Sequence, residues 1–334
     1  MMRYCSPAVL CRRVLFTLKL LLSCCLVAAL PVSATELTLA VSRTPLSLPL
    51  YVAQAEGYFT AEGLAPRIVD CVGGHLCLQR VLEGSADIAT AGDSPVMFRS
   101  FERDDYVAIG TFATTSDGVK LVGRKSAGIS LPSQLSGQSV GVVRGASSQF
   151  FFDTYLLWHG VDPGSVKRVW LQPEEMAAAM RTGKVAAVAA WEPFASDTVT
   201  ALKGDALVFP RTSVYTQSFN LVAHRRLAGP RDAEMVKLLR AVARAEAFIQ
   251  NNPRQAQAIL SRRLGVDQRF IDLVWPGLRF QLTLDPSLVK TLESEARWAV
   301  LEGQVAGKTV LNYLHYVHAG PLREVDANAV GLAR

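Results

Sequence analysis

Apolar residues fall in short blocks along most of this chain, each stopped by a glycine, a proline or a polar cluster. Two stretches echo one another. Gly84-Ser85-Ala86-Asp87-Ile88-Ala89-Thr90-Ala91 runs into Gly92-Asp93-Ser94-Pro95, and Gly183-Lys184-Val185-Ala186-Ala187-Val188-Ala189-Ala190 runs into Trp191-Glu192-Pro193. Each passes from a helix-like segment through a glycine, which can end a helix in the left-handed conformation. An apolar run suited to a strand buried on both faces follows. The polar residues after it would sit at the strand's carboxyl end, where open α/β sheets bind ligands. Two such units predict two similar lobes facing a shared cleft.

The same pattern, taken in order, predicts a strand over 36–41, a helix over 46–55 closed by Gly57, and a strand over 66–71. A helix follows from Gly73-Gly74 to Leu82. Next come a strand over 86–91 and a helix from Gly92-Asp93-Ser94-Pro95 to about Phe101. Apolar runs at 106–112 and 119–122 complete this part. Residues 125–137, rich in Ser, Gly and Pro, read as a boundary. The pattern then restarts, with strands over 138–143, 166–171, 185–190 and 206–209 and helices over 149–159 and 173–181. Residues 216–223 read as a return crossing. From Pro230 the chain turns helical, with further helices at 254–264, 268–274, 286–302 and 311–317. The organisation expected is 35–124 with 222–334 as lobe one and 125–221 as lobe two.

The first 34 residues read as a secretion signal. Arg12 and Arg13 form a basic flank, an apolar region runs to Leu30, and Val32-Ser33-Ala34 offers small residues for a cut before Thr35. The uninterrupted part, 20–30, is shorter than the roughly 20 residues needed to span a bilayer. Leu21-Leu22-Ser23-Cys24 loosely fits a lipid-attachment box. The chain stays apolar after Cys24, however, where a lipid tether is polar, and cleavage at Ala34 is the expectation. Removing this segment takes Arg3, Arg12, Arg13 and Lys19 with it, and the formal charge falls from +6 to +2. The basic balance therefore belongs partly to the leader, and nothing points to a nucleic-acid surface. Only Cys71 and Cys77 remain in the mature chain; in an exported protein they are candidates for a disulfide.

Four motifs carry a resemblance. Tyr51-Val52-Ala53-Gln54-Ala55-Glu56-Gly57-Tyr58-Phe59 with Glu62-Gly63-Leu64 is similar to A-x-x-x-G-Y-F-x-x-E-G-L, and Gly84 to Ala89 is similar to G-x-A-D-I-A. Val140-Gly141-Val142-Val143-Arg144-Gly145-Ala146-Ser147-Ser148 is similar to V-G-V-x-x-G-S-S, with Ala146 where Ser is common. Gly183-Lys184-Val185-Ala186-Ala187 with Trp191-Glu192-Pro193 is similar to G-x-V-D-A…W-x-P, with Ala186 where Asp is usual. In this order, over residues 37–222, they resemble the substrate-binding proteins of ABC importers for nitrate, taurine, aliphatic sulfonates and thiamine-precursor pyrimidines. The resemblance implies a type II periplasmic-binding fold, with two α/β lobes, a hinge crossed twice and a ligand in the cleft. It also implies a monomer in the periplasm, without a cofactor, that delivers a small anion, zwitterion or heterocycle to an ABC permease in the inner membrane. The alternatives are a binding protein that reports to a membrane receptor and an exported enzyme of the same fold.

Backbone N–H groups at helix N-termini capture small anions. Candidate contacts of this kind are Gly73 and Gly74, Asp93 and Ser94, and Arg144, Gly145, Ser147 and Ser148. Arg43 and Thr115 stand at other strand ends, and Trp191 and Glu192 end the second echoing stretch. In the implied fold Asp93 and Glu192 would approach across the cleft and favour a ligand with a cationic or donor end over bare nitrate. Enzyme motifs fit poorly. Gly137-Gln138-Ser139-Val140-Gly141 matches G-x-S-x-G, but the strand follows the Ser where the nucleophile elbow needs it before. His315 and His318 have no third metal ligand nearby.

Overall fold

The computed structural model describes Met2, residues 35–307 and residues 309–332. The expected leader, its cut at Ala34 and Cys24 lie outside the described residues. Eleven strands form two sheets among the described residues: β1 Thr35–Ser42, β2 Leu64–Cys71, β3 Ile88–Gly92, β4 Tyr106–Thr115, β5 Val119–Arg124, β6 Ser139–Val142, β7 Lys167–Trp170, β8 Ala187–Trp191, β9 Ala206–Val208, β10 Gln217–His224 and β11 Leu278–Arg279. The first sheet runs β11-β4-β10-β3-β1-β2 and the second β7-β6-β8-β5-β9.

Each sheet is built on the same plan. In the first, β1 lies between β2 and β3, all parallel, and β10 pairs antiparallel with β3. In the second, β6 lies between β7 and β8, all parallel, and β5 pairs antiparallel with β8. The echoing stretches are thus the equivalent third strands of two lobes, and every residue of β3 and β8 is buried. Burial on both faces explains their unbroken small apolar sequence. Gly84 and Gly183, before them, have φ of 77° and 74°. That conformation is costly for a residue with a Cβ, which is why glycine occupies both turns.

Each lobe borrows a strand across the hinge. β5, read from the sequence as part of lobe one, pairs with β8 and β9 in the second sheet. β10 pairs with β3 and β4 in the first sheet from Gln217 onward, rather than from residue 222. The crossings are therefore the polar turn at 116–118 and the segment 210–216. The Ser/Gly/Pro-rich stretch forms 3-10 turns at Lys125–Ala127 and Pro132–Leu135 within lobe two. Local composition marked a turn there, but strand pairing decides which lobe a turn belongs to.

The helices follow the expected pattern closely, including Asp93–Ser100, Ser147–Trp158, Pro253–Leu264, Gln268–Val274 and Pro286–Leu301. The helix expected over 311–317 is only a 3-10 turn, Tyr313–Tyr316, because the chain there must extend to let His318 N–H reach the Ala108 carbonyl at 2.9 Å. Cys71 and Cys77 are free buried thiols, not the disulfide allowed by their spacing. The two thiols are neighbours that hydrogen-bond each other, which lowers the Cys71 thiol, and Cys71 Sγ also lies 3.8 Å from the Val69 carbonyl. No helix among the described residues is long and apolar enough to cross a membrane.

Each lobe has its own apolar core, and Phe150 packs against both. One acid is sunk into the first core. Glu246, in the helix Asp232–Asn251, accepts the Leu282 N–H at 2.8 Å with Oε2, while Oε1 has no partner. Burial pushes its carboxyl from 4.5 to about 8. Between those values the folded protein holds the proton and the unfolded chain does not. The group's contribution to stability is therefore full below about 4.5 and lost as pH rises through 8. E246Q keeps the acceptor and removes the titration. In denaturant melts from about pH 5 to pH 8, wild type should lose on the order of 3 kcal/mol relative to E246Q. A stability difference that stays flat across this range would contradict the assignment.

Candidate ligand cleft

Three helices start at the cleft between the lobes: Gly74–Leu82 and Asp93–Ser100 from lobe one, and Ser147–Trp158 from lobe two. Their N-cap residues are Gly73, Gly92 and Ala146, and none supplies a side-chain cap. Gly73 and Ala146 leave first-turn N–H groups to be satisfied from outside the helix; in the middle helix Asp93 itself takes the Ser94 N–H at 2.9 Å and Pro95 has none to offer. Gly74 and His75, Gly92, and Ala146 with Ser147 line one cavity of about 590 Å³, counting its open mouth.

The remaining wall is mixed. Leu46, Phe219, Val274, Leu278 and Trp191 form its apolar part. Ser42, Thr44, Thr115, Asp117, Glu192 and Gln217 form its polar part, and no Lys or Arg lines it. Both acids are neutralised from behind. Lys120 Nζ lies 2.5 Å from Glu192 Oε1, and Arg211 lies 3.0 Å from Asp117. Glu192 Oε2 accepts the Ser196 N–H at 3.1 Å. Burial raises the Asp117 carboxyl, against the pull of Lys120 and Arg211. His75 is pushed down to about 4, first by burial and then by the charge of Arg99, so it is neutral near pH 7. Gln217 Nε2 donates to Ser147 Oγ at 2.8 Å, a hydrogen bond between the lobes. Gln217 Oε1 is buried without a partner.

The sequence-predicted residues divide sharply. Gly74, Thr115, Ser147, Trp191 and Glu192 line this cavity. Gly73 stands just behind, where an added Cβ would lie 3.0 Å from the Trp191 ring. Arg144 and Gly145 line a neighbouring cavity instead. Arg43 is exposed and reaches toward the Leu264 carbonyl at 3.5 Å. Alternation explains this: Ser42 and Thr44, on either side of Arg43, are the ones turned to the cleft. Ser148 is buried against the Val143 N–H at 3.4 Å. Ser94 donates to Glu295 at 2.6 Å.

Asp93 does not face Glu192 across the cleft. It is fully buried, accepting from the Tyr215 hydroxyl, the Ser94 N–H at 2.9 Å, and the Ser218 N–H and hydroxyl at 2.8 and 3.1 Å. Burial pushes its carboxyl up to about 6 against the pull of these bonds. Its job is to hold strand β10, which begins one residue before Ser218. Glu192 holds Lys120, one residue into β5, in the corresponding place. Sequence reasoning did not single out Ser42, Thr44, Asp117 or Gln217. Strand-end position and alternation could have found the first two. The others depend on where the crossings fall.

A cavity between two α/β lobes joined by two crossings defines the periplasmic-binding-protein fold. A family profile described as NMT1/THI5 like matches residues 44–256, and the chain belongs to that family. It is 25% identical over 236 residues to a putative aliphatic sulfonates-binding protein of Bacillus subtilis (strain 168), covering 68% of this chain and 69% of the relative. Two solved structures share the fold alone. The alkanesulfonate-binding protein SsuA from Xanthomonas axonopodis pv. citri, bound to MOPS, is 17% identical at a TM-score of 0.72, covering 92% of this chain and all of that one. The desulfurization enzyme DszB is 15% identical at a TM-score of 0.64, covering 88% and 99%.

Gly74 is held where no side chain fits. An added Cβ would meet Ala91 Cα at 2.9 Å, Gly92 N at 3.0 Å and the Thr90 carbonyl at 3.3 Å, all backbone. G74A should therefore lose about 1–3 kcal/mol in thermal melts as the helix is pushed off β3. G204A, with nothing within 4 Å, should stay within about 0.5 kcal/mol of wild type.

Proposed function

We propose that the protein is an extracytoplasmic solute-binding protein that captures a small organic anion, foremost a sulfonate, and hands it to an ABC permease of the inner membrane. It would act as a monomer after removal of residues 1–34. The observation that carries this reading is the convergence of two helix N-termini without a side-chain cap, Gly74 from lobe one and Ser147 from lobe two, on a cavity that no Lys or Arg lines. Such termini present N–H groups and a positive dipole end to an anion. Each contributes up to about 2 kcal/mol, whereas micromolar capture needs about 8. Both lobes must therefore touch the ligand, and closure is part of binding. The apolar wall of Leu46, Phe219, Val274 and Leu278 suits an alkyl or aryl body and has no use for bare nitrate. Trp191, edge-on to His75 at 6.1 Å between centroids, would cover that body from lobe two.

Transport fits better than chemistry. The Ser147 hydroxyl is bonded to the Gln217 amide, which cannot serve as its base. The ligand should come off unchanged. Titration calorimetry with short alkanesulfonates should give a 1:1 stoichiometry, and W191A should weaken binding about tenfold. Silence toward every sulfonate, or appearance of a sulfur-cleaved product, would overturn the proposal.

A further inference from the structure

A second cavity adjoins the first and shares His75 and Pro95 with it. It encloses about 1320 Å³, counting its mouth, and both lobes build it. Lobe two contributes Arg144, whose guanidinium lies 4.5 Å from the centroid of the Trp170 ring. Lobe one contributes Arg99, which pairs with Glu102 at 2.8 Å on the rim. Arg144 forms no ion pair with a carboxylate among the described residues. With Glu102 offsetting Arg99 and His75 neutral, the lining keeps one uncompensated positive charge. The cation–π contact with Trp170 restrains the Arg144 side chain, and a guanidinium fork suits two-point recognition of a carboxylate or sulfonate. Above it the Gln149 amide donates to Gln304 at 2.8 Å, tying lobe two to the loop after the helix Pro286–Leu301.

The inner cavity is suited to one anionic group through helix N-termini alone. The outer cavity is suited to another through a side-chain cation. We infer that the cleft takes an elongated organic dianion, with one acidic end at the helix N-termini and the other at Arg144 and Arg99 beside His75. This rests on the anion-binding reading above and names its ligand class more narrowly. Because the outer cavity is walled by both lobes, the second acid would also favour the closed state.

The test compares, by calorimetry, linear alkanesulfonates from propane to octane with the same chains ending in a carboxylate. At the length that spans the two cavities, the ω-carboxylate should bind about tenfold tighter than its plain counterpart. That ratio should fall toward one in R144Q and, less steeply, in R99Q. A ratio near one at every length in wild type would overturn the inference. So would variants that weaken both ligands equally, because that is the mark of a structural role. If plain alkanesulfonates also fail to bind, it is the underlying anion-binding reading that falls.

Discussion

Two buried carboxylates hold the lobes in register. Asp93 follows β3 and grips Ser218 and Tyr215; Glu192 follows β8 and grips Lys120. Each acid thus fastens the strand that has just arrived from the other lobe. An acid at this depth is stable only with several hydrogen bonds or a cation, and each has them. Glu295 lies beside the Asp93 cluster, bonded to Ser94, and its carboxyl is raised well above the usual range by burial and then by the Asp93 charge. Both causes disfavour a second negative charge here, while the hydrogen-bond donors are gathered on Asp93. The hinge is pinned at both ends by polar contacts with directional geometry, so the lobes meet in a defined orientation.

That orientation creates the cleft. The Gly74 and Ser147 helix N-termini face one cavity only because the lobes bring them together, and one terminus alone is a weak anion trap. The Gln217–Ser147 and Gln149–Gln304 bonds and the Phe150 ring between the cores join the lobes at separate points. Charge is distributed unevenly along the opening. The inner acids are cancelled by Lys120 and Arg211 from behind, whereas Arg144 stands uncancelled at the outer end. Field strength therefore comes from backbone dipoles inside and from a side chain outside.

Fold class, element order and the two-lobe plan were all legible in the sequence. A fully buried strand must be apolar throughout, a left-handed turn selects glycine, and both rules act within a few residues. The echo at Gly84 and Gly183 records a real structural equivalence for this reason. Gly74, Ser147 and Trp191 were legible for a similar reason, each being near the N-terminus of a helix or the end of a strand at the cleft.

What the sequence determined by itself was the set of local conformations, because periodicity and turn chemistry are decided by near neighbours. Tertiary structure alone decided which lobe β5 and β10 join, because strand pairing is a choice among partners distant in sequence. It also decided the direction of each polar side chain at a strand end. Arg43 turns out while Ser42 and Thr44 turn in. Asp93, which the sequence offered as a ligand contact, is drawn inward by donors more than a hundred residues away, at Tyr215 and Ser218. Asp93 and Glu192 are alike in sequence and alike in their hinge role, yet only Glu192 reaches the cavity wall. A carboxylate goes where its hydrogen-bond donors are, and those donors arrive only when the chain crosses back.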